Sequence, residues 1–134
     1  MGLTTTGINK IADALLQNAY VGLGTLSGST FTEVSGNNYE RVSASAATLT
    51  NSNGVITNTH DFYFKDADDG TTPDSLTPQS TGGWGQVNAL AIFNGSTGND
   101  LRYAGSLTEA VTVYQGMRVK FAAGDIQLTI VASE

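Results

Sequence analysis

His60 is the single histidine of the chain. As the base of a serine nucleophile it would need a carboxylate to orient its ring. Asp61, its neighbour in an extended segment, points to the opposite face, and no Gly-x-Ser-x-Gly elbow is present. No second histidine and no cysteine is available to share a metal ion. His60 therefore reads as a structural or surface residue, and no catalytic residue is assigned. The acid-rich run Asp66-Ala67-Asp68-Asp69-Gly70 invites a calcium reading. Counted from Asp66, however, Gly70, Thr71 and Thr77 stand where an EF-hand loop places an oxygen ligand, a glycine and a glutamate. A looser oxygen site from Asp66, Asp68, Asp69 and Asp74 stands beside the plainer reading, a solvated acidic loop tip. No metal or cofactor is assigned. Gly82-Gly83-Trp84-Gly85 sets the only tryptophan among glycines. With Tyr63 and Tyr103 it would make a sugar-stacking platform; alone, Trp84 would be an aromatic anchor leading into the core.

The bulk composition narrows the classes further. Only 13% of the 134 residues are charged, against about 25% in an average globular chain. Thr, Ser, Asn and Gly fill the gap, which suits strands joined by turns. The net charge is −6, and the six basic residues Lys10, Arg41, Lys65, Arg102, Arg118 and Lys120 are scattered along the chain. Nucleic acid and anionic membranes both need clustered cations, so neither is an expected partner. Without cysteine there is no disulfide framework. Neither a membrane-length apolar run nor a signal peptide is visible, so release by lysis as part of a particle is the expected way out of a cell.

The elements that must position these residues follow from periodicity. Ile8, Ile11, Ala12, Leu15 and Leu16 fall at helical spacing and predict a helix over residues 5–17, capped by Thr4, Thr5 or Thr6 and stopped at Asn18. Its apolar face either packs on the sheet of the same chain or docks on a neighbour. From 19 to 131 the pattern is strand and turn. Strands are predicted at 19–24, 39–43, 55–64, 86–93, 101–105, 107–114, 117–121 and 126–130. Residues 86–93 are apolar enough for a central strand covered on both faces. On the strand predicted over 55–64, His60 would share a face with Phe62 and Phe64. Thr25–Asn38 and Lys65–Gly85 read as long loops, beyond what hairpins require. The expected fold is all-β: a single domain spanning 1–134, an antiparallel β-sandwich or jelly-roll-like barrel with one short N-terminal helix.

Several segments carry a family resemblance: Ala19-Tyr20-Val21-Gly22-Leu23 after the helix, then Glu33-Val34-Ser35-Gly36-Asn37-Asn38-Tyr39-Glu40-Arg41-Val42. Trp84-Gly85-Gln86-Val87, Ala91-Ile92-Phe93, Gly105-Ser106-Leu107-Thr108 and Phe121-Ala122-Ala123-Gly124-Asp125-Ile126-Gln127-Leu128 follow. In order and spacing the chain resembles a family of small tailed-phage virion proteins, described as tail-fibre or minor structural proteins. The resemblance implies a non-enzymatic virion component, made in the host cytoplasm, whose partners are other virion proteins. Size decides the expected position. A fibre needs length from coiled coil, β-helix or repeats, and none is visible. The expectation is a head decoration or cement protein bound to the major capsid protein, a homo-oligomer and, at a capsid symmetry axis, a trimer. A tail-fibre or tail-associated component is the alternative, and a carbohydrate-binding module is the rival from another class. Whichever partner it meets, the two long loops are the expected contact.

Overall fold

A computed structural model describes residues 5–67, 83–98 and 100–129. Helix α1 spans Thr5–Leu16, so Thr6 lies inside it and does not cap it, while Thr4 falls outside the described residues. Asn18 ends it at φ 52°, a left-handed conformation that asparagine tolerates better than most residues. The helix packs on its own chain: Ala12 is fully buried and Leu15 and Leu16 rest on the core, although Ile11 stays 44% exposed. Two polar ties fix it. Arg102 Nη1 donates to the carbonyls of Ala14 (3.0 Å), Leu15 (3.0 Å) and Gln17 (2.6 Å) at the end of the helix, where Ala14 also accepts from Gln17 N–H at 3.3 Å. Asn51 Nδ2 donates to Asn9 Oδ1 at 3.2 Å and Asp13 Oδ1 at 3.1 Å.

The strands are β1 (Ala19–Ser27), β2 (Thr30–Glu33), β3 (Val42–Ser43), β4 (Leu49–Ser52), β5 (Val55–Asn58), β6 (Phe62–Tyr63), β7 (Gly85–Asn94), β8 (Leu101–Val113), β9 (Lys120–Phe121) and β10 (Gln127–Thr129). All pairings are antiparallel. The largest sheet runs β2-β1-β7-β8, with β3 beside the start of β1; β10-β5-β4 and β6-β9 form two smaller sheets. Buried side chains of all three sheets and of α1 meet in one core, with Val21, Leu23, Ile56, Phe64 and Ile92 at most 1% exposed. The expectation of an antiparallel all-β fold with one short N-terminal helix holds; among the described residues no sheet closes into a barrel.

β7 is central, as its apolar run predicts. Leu90 and Ile92 face the common core, while Ala89, Ala91 and Phe93 alternate to the other face and are also buried. Asn53-Gly54 forms the predicted turn, both residues at positive φ, and pairs Ser52 with Val55.

Four expectations are corrected. Thr25–Asn38 is not a free loop: β1 continues to Ser27, turns at Gly28 (φ 61°) and returns as β2. Its Ser and Thr residues are the solvent side of an edge hairpin, pinned where Phe31 meets Phe93 at 5.9 Å. Residues 55–64 are not one strand. The chain bends after Asn58, whose buried side chain donates to the carbonyls of His60 and Ala122 and accepts from Ile126 N–H. That bend leaves His60 exposed while Phe62 and Phe64 are buried, so the shared face is lost. The strands expected at 101–105 and 107–114 are one strand. It carries a wide irregularity, for Ala89 pairs with Ser106 and Val87 with Val111, so residues 107–110 bow out of the ladder. The strands expected over 39–43 and 117–121 shrink to Val42–Ser43 and Lys120–Phe121. Beside the latter the pairing continues irregularly, with Phe64 N–H donating to the Val119 carbonyl and Ala67 N–H to that of Met117.

Candidate functional site

Tyr39, on the turn between β2 and β3, donates its hydroxyl hydrogen to Glu33 Oε2 at 2.7 Å and accepts from Leu23 N–H at 2.9 Å. Arg41 grips the same carboxylate with two nitrogens, Nε on Oε2 and Nη2 on Oε1, both at 2.7 Å. It also donates to the carbonyls of Gly95 (3.0 Å) and Gly98 (2.5 Å) beyond β7. The guanidinium carbon lies 3.5 Å from the centroid of Phe93, and only 5% of the side chain remains exposed. A planar fork fits this role where an ammonium would not. Burial, then the bond to Glu33, pushes the Tyr39 phenol well above its usual range. Gly22 makes room for the cluster: a Cβ there would stand 2.8 Å from the Tyr39 hydroxyl and 2.9 Å from both Glu33 Oε2 and Phe93. These groups, drawn from the resembling segments around 19–23 and 33–42, form a clamp that covers the outer face of β1 and β7.

Trp84 extends the clamp. Its indole N–H donates to the Asn37 carbonyl at 3.0 Å, and Asn37 Nδ2 donates to the Gly83 carbonyl at 2.7 Å. The ring stands edge-on to Tyr39 (5.3 Å, 89°) and Phe64 (6.4 Å, 81°). The anchor role expected for Trp84 is therefore what its surroundings show. Tyr63 and Tyr103 do not join it. Tyr63 lies on an outer face, and Tyr103 lines a hollow with Ile11, Leu15 and Leu128, so the three do not share a platform. His60 is held by its backbone, donating N–H to Thr48 Oγ1 at 3.0 Å and accepting from Asn58. Of the acidic run, Asp66 meets Arg118 Nε at 2.6 Å, whereas Asp68, Asp69 and Asp74 lie outside the described residues.

The face around Tyr63 is the more open surface. Arg118 and Lys120 lie over Tyr63, which is 49% exposed. The Arg118 guanidinium carbon is 5.3 Å and Lys120 Nζ 6.0 Å from the tyrosine centroid. Each cation has its own acid: Arg118 has Asp66, Lys120 has Asp61 at 3.5 Å, and Lys65 has Glu40. The Ala123 N–H and then Lys120 hold the Asp61 carboxyl below its usual range. Such exposed pairs add little stability. Spatially the basic residues are thus less scattered than the sequence implies. Two lie over Tyr63, while Arg41 and Arg102 are turned inward on the clamp and the helix end.

A family model described as podophage GP4 fiber I protein gp80 matches residues 3–129. The chain belongs to that family. It is a fibre component of the phage virion, which confirms the resemblance to virion structural proteins. The match overturns the head decoration expectation and supports the tail-fibre alternative. The size reasoning failed because it asked one chain to supply the whole length of a fibre. No curated protein matches the chain. Fibre proteins of this family are structural, and the clamp accords with that role: its polar groups are bonded to one another.

Proposed function

We propose that this chain is a non-catalytic part of a podophage tail fibre that holds its place by surface complementarity with neighbouring tail proteins. The family match over residues 3–129 carries this reading. The contact proposed for it is the face around Tyr63, together with the exposed tip of the β1–β2 hairpin. Tyrosine and arginine are the residue types that most often anchor protein interfaces. The balanced charges fit a polar protein partner better than nucleic acid, which would need unopposed cations. Residues 68–82 of the long loop, the other contact expected from sequence, lie outside the described residues. Association of several copies is part of the proposal, although a trimer was inferred from capsid axes and loses that ground.

Gold-labelled antibody on intact virions tests the position, with label expected on the tail; label spread over the head overturns it. Virions grown with Tyr63→Ala/Arg118→Ala should incorporate less of the chain, while the isolated variant keeps its melting temperature because both side chains are about half exposed. Unchanged incorporation removes this face from the proposal.

A further inference from the structure

An asparagine followed by glycine can close on its own main chain, because glycine sets no Cβ in the way of the next nitrogen. The chain holds two such pairs, Asn53-Gly54 and Asn94-Gly95. Their surroundings differ. Asn94 ends β7, and its main-chain N–H donates to the Asp100 carbonyl at 2.9 Å. Its Nδ2 donates to Asp100 Oδ2 at 2.9 Å, its Oδ1 accepts from Asn18 Nδ2 at 3.3 Å, and the Gly95 carbonyl accepts from Arg41. Both ends of that side-chain amide are thus held by residues other than Gly95. Asn53 stands exposed at the tip of the β4–β5 turn, and its side chain has no hydrogen-bond partner among the described residues.

What restrains Asn53 acts on its glycine. Gly54 is buried, and its N–H donates to Asn51 Oδ1 at 2.9 Å. The Nδ2 of the same Asn51 ties α1 through Asn9 and Asp13. With Nδ2 drawn to the helix, Oδ1 is turned toward Gly54, so α1 orients the group that occupies this nitrogen.

We propose that Asn53 is the site at which this chain deamidates, gated by Asn51 and, through it, by the docking of α1. When the turn opens, the Gly54 nitrogen gives its proton to water or hydroxide and bonds to Asn53 Cγ. The Cγ–Nδ2 bond breaks, and the departing nitrogen takes up a proton and leaves as ammonia. Water then opens the succinimide at either carbonyl, leaving aspartate or isoaspartate. The net step consumes one water and releases one ammonia. Both products add a negative charge. Isoaspartate also runs the main chain through Cβ, which a two-residue turn at positive φ cannot absorb while keeping Ser52 opposite Val55. The Gly54 bond to Asn51 is then lost, and one tie on α1 loosens. This inference stands apart from the fibre role and fails separately from it.

The full chain, aged in mildly alkaline buffer, can be mapped by peptide mass spectrometry, with an isoaspartyl methyltransferase as the probe for isoaspartate. Deamidation should be about fivefold or more faster at Asn53 than at Asn94, and urea should bring the two rates together because both precede glycine. Asn51→Ala should speed the reaction at Asn53 about fivefold, the effect of losing one hydrogen bond, without moving Asn94. Should Asn51→Ala unfold the chain, Asn94 will speed up with Asn53, and Asp13→Ala then decides. That variant, at an exposed helix position, should speed Asn53 alone and by less. Equal rates at Asn53 and Asn94 in the folded chain, or a rate at Asn53 that neither variant raises, overturns the proposal.

Discussion

Tyr39 shows how a single hydroxyl can hold two strands and a buried ion pair in register. Its oxygen serves the Leu23 N–H and its hydrogen serves Glu33, so Tyr39→Phe strands a partly buried donor and weakens the carboxylate that Arg41 grips. The expected cost is about 1–3 kcal/mol, seen as a lower urea midpoint. The same residue sets an alkaline limit. Its phenol is raised in the folded state by burial and by Glu33, so the folded chain keeps a proton that the unfolded chain releases above a pH of about 10. The stabilisation is whole below that value and is lost as pH rises toward the folded pKa. Thermal melts at stepwise higher pH should fall more steeply for the wild type than for Tyr39→Phe; parallel curves would show that the phenol does not carry this sensitivity.

Among the elements, α1 depends on Arg102 because its own sequence supplies little. It has no acid in the first turn and no base in the last, and only Ala12 of its apolar stripe is fully buried. Arg102→Leu removes the donor from three carbonyls and should lower helical ellipticity while the strands persist; a variant with unchanged ellipticity and midpoint would mean that Asn51 and the apolar contacts suffice. The helix and β7 were legible in the sequence because apolar spacing there matches burial directly, and Asn18 and Asn53-Gly54 because their backbone angles suit few other residues. The β1–β2 hairpin was not, since an edge strand rich in Ser and Thr has the composition of a loop. The break at Asn58 was hidden for a different reason: its cause is a bond to Ala122, far away in the chain. The clamp was visible only as a string of resembling letters. That Glu33, Tyr39 and Arg41 converge depends on the hairpin the sequence reading had missed.

On the scale of the whole molecule, residues 33–41 join parts that the sequence keeps far apart. Glu33 and Tyr39 hold β1, Asn38 Nδ2 bonds the Asp66 carbonyl, Asn37 and Trp84 hold each other, and Arg41 reaches past the end of β7. A segment tied to so many sites should not open alone; its loss should bring down the sheet it covers. Trp84 makes this testable, because the only tryptophan in the chain sits at one of the ties. In urea, tryptophan fluorescence and far-ultraviolet circular dichroism should follow one transition with a common midpoint. Arg41→Ala should shift both together, by about 3 kcal/mol or more, since it leaves Glu33 facing a partly buried site without its cation. A fluorescence transition that precedes the loss of ellipticity, in the wild type or the variant, would mean that the clamp is a separate unit laid over a sheet able to stand without it.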